Sequence, residues 1–380
     1  MIEKQLSALF VPTTNAGVQQ YRFTNFTTAA FRNKAFNALQ LWWDKSLVET
    51  HPWEVEIDDP AYKYRLKAEL DDHANKANVL VAQMCHTEGA LIEMVRLKVE
   101  KNIPLVTEID DDIMHTPTYN PANAVYRQGS GAPFRKLAID QFRMSDAMIV
   151  STPYLAEVYS EFCPNIYVIE NSLEFRIWDN LRHKRNKDLI RIGWAGGASH
   201  DEDLRIIEPV VRKTLEKHPT TVFTFVHGIP QFFRGIDRVE AVSEFTRIDR
   251  YPQFLASRGF DIGIAPLVDN AFNRGKSNLR WLEYSGLKVP TVASKVGHFA
   301  STITQEHDGL LCETERDWLD SLSFLISDEN ARRKMGKNAN QTARKAFNVD
   351  VNIQLYKAAL EEIADRGLVV KMPETQEATA

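Results

Sequence analysis

Residues 261–294 read DIGIAPLVDNAFNRGKSNLRWLEYSGLKVPTVAS. An apolar run ends at Ala265-Pro266, a polar loop follows, a helix opens near Ser277, and a second apolar run begins near Val289. A helix that opens just past the carboxyl end of a strand offers unpaired backbone N–H groups and a positive dipole end to an anion. Arg274 and Lys276 add positive charge at that turn, and Ser277 and Asn278 add hydrogen-bond donors, so the set suits a diphosphate. Glu283 follows two turns into the helix, roughly 9 Å along the axis from Ser277. From there its carboxylate can accept hydrogen bonds from the vicinal hydroxyls of a ribose. The same letters also fit a surface helix with solvated charges.

Working outward, the second half of the chain alternates short apolar runs at 189–194, 222–226, 260–265 and 289–293 with helical segments. Leu204, Ile207, Val211 and Leu215 recur at helical spacing and form one apolar face. Ser199 and Glu202 read as a capping box at its start. The first half shows the same alternation, with strand candidates at 6–11, 79–83, 104–109, 147–151 and 166–169. Such a pattern predicts an α/β fold in which helices cover both faces of parallel sheets.

At 380 residues the chain exceeds one ordinary core and suits two. The charge-dense segment 176–188 has little periodicity and reads as the linker. The expected organisation is an N-terminal domain over 1–175, a C-terminal domain over 189–346, a helix over 347–366 and a flexible tail over 367–380. Ile353, Tyr356, Leu360 and Ile363 make that last helix one-faced.

A net charge of −5 provides no global basic field for nonspecific nucleic-acid binding. Cys85, Cys163 and Cys312 are odd in number and form no CxxC pair, so neither a disulfide framework nor a zinc site is expected. The opening MIEKQLSALFVP fits a first buried strand better than a signal region, and no apolar run has spanning length. A cytoplasmic protein is expected, with peripheral contact at a membrane surface left open.

The strand, loop and helix carrying Glu283, with GLKVPTVAS over 286–294 and the continuation over 298–339, resemble the donor-binding region of the retaining GT-B glycosyltransferases known as glycosyltransferase family 4. The resemblance runs over about residues 190–346, with looser echoes at 145–159 and 169–172. It implies the GT-B architecture of two Rossmann-like, doubly wound domains facing an interdomain cleft. It also implies a nucleotide-diphosphate-sugar donor, most simply a UDP or GDP sugar, transfer with retention to an acceptor hydroxyl, and no required cofactor or metal. The last helix would pack back on the N-terminal domain.

By position, Glu283 matches the second acid of the family's Glu-x7-Glu motif, the ribose contact, while Gly275 stands where the first acid is expected. Lys276 is then the candidate catalytic cation, and Asp269 or Asn270 is a candidate for the missing sugar contact. The glycine loop with Gly196 and Gly197 corresponds to the family's loop beside the donor phosphate. Gly17 and Arg22, after the first strand, correspond to its first cleft loop; Arg22 fits a phosphate contact or a surface arginine. His86 corresponds to a cleft histidine that bonds the donor sugar. Glu108 and Asp110 to Asp112 crowd carboxylates at the end of one strand, which must be solvated, paired or ligand-facing. Asp111 is the candidate there for the acceptor side.

The acceptor stays open among glycan, lipid-linked glycan, polysaccharide, protein, small metabolite and modified nucleic-acid base. A GT-B-like scaffold that binds nucleotide sugars without catalysis, and a nucleotide-sugar epimerase, are the alternatives to a glycosyltransferase.

Overall fold

A computed structural model of the chain describes residues 5–13, 17–41, 60–126, 131–181, 183, 185, 188–226, 228–244 and 246–367. The tail expected over 367–380 lies outside these from residue 368 onward, as do residues 182, 184, 186 and 187 of the expected linker. Strands β1 (Ser7–Val11), β2 (Asn37–Gln40), β3 (Val79–Gln83), β4 (Leu105–Ile109), β5 (Ala147–Val150) and β6 (Ile166–Val168) form a parallel sheet in the order β2-β1-β3-β4-β5-β6. Strands β7 (Ile190–Ala195), β8 (Thr221–Val226), β9 (Val239–Val242), β10 (Ile262–Ala265), β11 (Thr291–Ser294) and β12 (Leu310–Cys312) form a second, in the order β12-β11-β10-β7-β8-β9. Both are doubly wound α/β sheets, as the alternation of apolar runs and helices requires.

The inner strands β1, β3, β4, β5, β8, β10 and β11 are buried throughout, so their sequences are mostly apolar with no in-out alternation, and the few polar residues in them, such as Gln83, Thr107 and Glu108, are buried too. The edge strands β2 and β9 are only partly buried and read NALQ and VEAV, which is why no apolar run announces them. Leu204, Ile207, Val211 and Leu215 all lie in one core, but Pro209 divides their segment into helices Asp201–Arg205 and Glu208–Lys217. The capping box expected of Ser199 and Glu202 does not form. Ser199 lies in a short 3-10 turn, and His200, without a side-chain cap bond, opens the helix.

The chain crosses between the two sheets twice, and the crossings touch. Leu173 N–H donates to Phe347 O at 2.8 Å and Val349 N–H donates to Leu173 O at 3.1 Å. Beyond the second crossing, helix Val349–Arg366 returns to the first sheet and buries Val349, Ile353, Tyr356, Leu360 and Ile363 among Phe10, Phe23 and Phe26. The Tyr356 and Phe26 rings sit 4.9 Å apart. Among the described residues, no helix is long and apolar enough to cross a membrane.

The helix that carries Glu283, Leu279–Gly286, is backed by helix Glu329–Ala346, whose Asn340 amide donates to Ser285 O at 2.9 Å. At Gly336 of that backing helix, an added Cβ would stand 2.2 Å from Lys288 O. Alanine would gain about 1 kcal/mol of helix propensity, but a carbonyl cannot rotate aside as a side chain does, and overpacking costs about 1–3 kcal/mol. Gly336→Ala is therefore expected to lower the urea midpoint of unfolding, and a raised midpoint would refute the close approach.

Candidate active site at the facing sheet edges

Strand order reverses between β1 and β3 in the first sheet and between β7 and β10 in the second. Loops leaving such a pair of strands part to opposite faces and open a crevice at the carboxyl edge, where ligands bind in this class of fold. In the second sheet the crevice is flanked by Gly196 and Gly197 after β7 and by the loop 266–278 after β10. A Cβ at Gly196 would lie 2.6 Å from the Arg280 guanidinium, so the glycine makes room for that cation, while Gly197 faces open space. Arg280 donates from Nε to Ala195 O at 3.0 Å and lies over the Trp194 ring.

Helix Leu279–Gly286 opens directly after this loop, with no side chain capping its first turn. It is held from behind, since Trp281 Nε1 donates to Asp308 O at 2.9 Å and Leu282 and Tyr284 are fully buried. Asn278, at its start, is also fully buried. Its amide donates to Thr302 Oγ1, while its Oδ1 has no hydrogen-bond partner.

The carboxyl edge of the first sheet meets this helix. Lys276 Nζ lies 2.7 Å from Asp111 Oδ1 and 4.4 Å from the centre of the Phe272 ring. The Asn171 amide donates to Ser277 Oγ at 2.8 Å, the Thr152 hydroxyl donates to Gly275 O at 3.3 Å, and the Asn270 amide donates to Tyr119 Oη at 2.8 Å. Tyr21, just after Gly17, donates to Glu283 Oε1 at 2.8 Å, and Tyr251 donates to Oε2 at 3.2 Å. Between the two edges lies a cavity of about 360 Å³, bounded by Asp111, Thr116 and Tyr126 on one side and Ser199, Phe272 and Lys276 on the other.

Burial sets the electrostatics. Glu283 is pushed up to about 7 by burial, against the opposing effects of Tyr21, Arg280 and Tyr251. Asp110 is also pushed up to about 7, first by burial and then by the neighbouring Asp111 and Glu108. His200 is pushed down to about 4 by burial and then by the Arg280 charge; its Nδ1 lies 2.8 Å from Asp203 Oδ2. Among the described residues, no group of three or more His, Cys, Asp or Glu is arranged to hold a metal ion.

The structure thus brings Lys276, Ser277, Asn278, Glu283, Gly196, Gly197 and Asp111 to one crevice. Arg22 requires a correction. It is neither a surface arginine nor open to a phosphate, being fully buried, paired with Glu108 and bonded to Ile169 O and Asn171 Oδ1. Its effect on the crevice is indirect, because the Asn171 that it holds is the residue that reaches Ser277. Asp269 and Arg274 pair with each other on an exposed turn, at 2.7 and 3.1 Å. Asn270 caps the short helix Ala271–Arg274 by accepting from Asn273 N–H. His86 packs beside Phe134 in the first domain, and burial lowers its pKa. Of the aspartate run, Asp112 closes the following turn, accepting from Met114 and His115 N–H.

Gly275 has a packing reason. A Cβ there would stand 3.0 Å from Leu155 Cδ2 and 3.2 Å from Asp112 Cβ, so a side chain in this position would press into the first domain. Sequence reasoning missed Tyr21, Asn171, Tyr251 and Arg280. Only Arg280 carried a legible signal, since it stands one helical turn after Lys276 and one before Glu283.

No family model and no curated protein matches the chain. Solved structures do match. HepE of Anabaena, in complex with UDP-glucose, superposes with a TM-score of 0.64 at 15% identity, covering 94% of this chain and 99% of HepE. A glycosyltransferase from Rickettsia africae superposes at 0.63 with 14% identity, covering 95% and 99%. A putative UDP-N-acetylglucosamine 2-epimerase from Listeria monocytogenes superposes at 0.54 with 12% identity, covering 96% and 98%. The fold is the GT-B architecture. Because that architecture hosts more than one reaction, the reaction must be argued from the site.

The raised Glu283 carboxyl makes a prediction about stability. Folding favours its protonated form, so its stabilising contribution is complete below the ordinary value of 4.5 and is lost as pH rises through about 7. Glu283→Gln removes the titration. The variant is expected to melt above the wild type near pH ~8 and to approach it near pH ~4.5. A difference in Tm that is the same at both pH values would show that the carboxyl is not shifted.

Proposed function

We propose that the protein is a glycosyltransferase that moves a sugar from a nucleotide-diphosphate-sugar donor to an acceptor hydroxyl, with retention and without a metal. The observation that carries this reading is the convergence of an uncapped helix start, Lys276, Ser277, buried Asn278 and Glu283 at the crevice after β10. The helix dipole and Lys276 would offset charge on a departing diphosphate. Arg280, bedded beside Gly196, would add a second cation to the same side. Glu283 would take the ribose hydroxyls. The UDP-glucose bound to HepE supports a uridine donor.

The acceptor side is the first-domain face of the cavity. Asp111 stands on it, with its backbone held by Tyr159, whose hydroxyl donates to Asp111 O at 2.6 Å. In a retaining transfer the leaving phosphate can take the acceptor proton, so Asp111 would orient the acceptor hydroxyl without having to remove its proton. Retention and independence of metal rest on the family resemblance. Phe272, Thr116 and Tyr126 give the cavity a mixed apolar and polar wall that suits a sugar or a small glycan terminus.

A panel of UDP, GDP, ADP and dTDP sugars tests the reading. Turnover is expected with at least one UDP sugar, and Lys276→Met is expected to lower kcat/KM by about 100-fold or more, the scale for removing one charge-stabilising donor. Donor epimerised without any acceptor would establish the epimerase instead, and nucleotide binding with neither transfer nor hydrolysis would establish the scaffold.

A further inference from the structure

Lys276 and Glu283 belong to one crevice, yet only Lys276 faces the open cavity. The Glu283 carboxylate is covered by Tyr21, and the two residues are only 6% and 5% exposed. Tyr21 reaches it from the first domain and Tyr251 from the second, one hydroxyl on each carboxylate oxygen. Two hydroxyls shared between the two oxygens of one carboxylate is the arrangement that a vicinal diol would make. Any ligand that places a diol on Glu283 must first move the Tyr21 ring.

We propose that Tyr21 is an internal competitor for this diol. It occupies Glu283 in the free protein, must leave when a nucleotide binds, and in leaving withdraws an anchor of the first domain from the second. The proposal rests on the reading of Glu283 as the ribose acceptor. Tyr251 is the partner that stays, since it opens helix Tyr251–Ser257 in the same domain as Glu283. Tyr21 sits instead in a π-helical turn, Gln20–Thr24, a form of backbone that recurs at functional sites. Its ring packs in the second domain's apolar cluster with Leu282, Leu255 and Trp178. Removing it from Glu283 therefore also removes a side chain that bridges the domains.

A purely structural contact explains the arrangement poorly. Among the described residues Glu283 has no ion-pair partner within contact distance, and a buried carboxyl whose side-chain hydrogen bonds come only from two hydroxyls, with Arg280 acting from further off, is costly compared with an apolar pair of the same shape. The cost makes sense at a site where the hydroxyls are exchanged for those of a ligand.

The full-length wild type and Tyr21→Phe are titrated calorimetrically with UDP and 2′-deoxy-UDP. A competitor acts on the free protein alone, so the variant is expected to bind both nucleotides roughly five- to tenfold tighter, with their ratio unchanged. Unchanged or weaker binding of UDP by the variant overturns the proposal. Binding of UDP by neither protein overturns the ribose reading and the proposal with it. A second measurement needs no variant. When the wild type is saturated with UDP, amide hydrogen exchange over residues 20–24 is expected to rise, and protection of that turn overturns the displacement.

Discussion

The two crossings of the chain, hydrogen-bonded to each other between Leu173 and Phe347–Val349, are the constraint on which the cleft depends. They place both sheets with their carboxyl edges face to face. They also bring Asn352 against Ser172, where its amide donates to Oγ at 2.9 Å, and leave the following helix to close the first core. Arg32 reinforces the junction by pairing with both Glu174 and Asp350. With the crossings tied, the side chains on facing edges can meet at hydrogen-bond distance without a broad apolar interface, which would otherwise fill the cleft.

What meets there is mostly polar and chemically unequal. The second domain contributes Lys276, Arg280 and a helix start, the first contributes Asp110 and Asp111, and the Lys276–Asp111 ion pair joins them. A charge pair across the cleft contributes little to stability, because its components are partly solvated: Lys276 is 20% and Asp111 48% exposed. Tyr21 and Glu283 lie at the opposite extreme, sealed from solvent. The cleft thus combines a wet end, with a partly solvated ion pair, and a dry end, where two hydroxyls share one buried carboxyl. The relay from Glu108 through Arg22 and Asn171 to Ser277 connects this cleft to the first core, so that an arginine with no access to solvent still positions a group at the site.

Much of this was legible in the letters. Residues 261–294 show strand, loop and helix because a doubly covered strand must be apolar along its length, and a helix start must be polar where it leaves the core. The apolar face of the last helix was legible for the same reason, through its spacing. The edge strands β2 and β9 were not, because NALQ and VEAV carry no apolar run, whereas the edge strand β6 reads IYV and was legible. The capping box at Ser199 failed although its letters were correct, since the 3-10 turn at 198–200 takes up Ser199 and moves the helix start to His200.

By itself, then, the amino-acid sequence determined the two α/β halves and the helix that follows β10, with Lys276 and Ser277 before its start and Glu283 within it, because these follow from local periodicity and from short-range chemistry along one segment. Only the tertiary structure decided that Arg22 is buried, that Gly275 is pressed between Leu155 and Asp112, and that Tyr21 stands on Glu283. Each of those is a contact between residues separated by dozens to hundreds of positions. Their partners are chosen by how two finished sheets meet, and no spacing along the chain encodes that meeting.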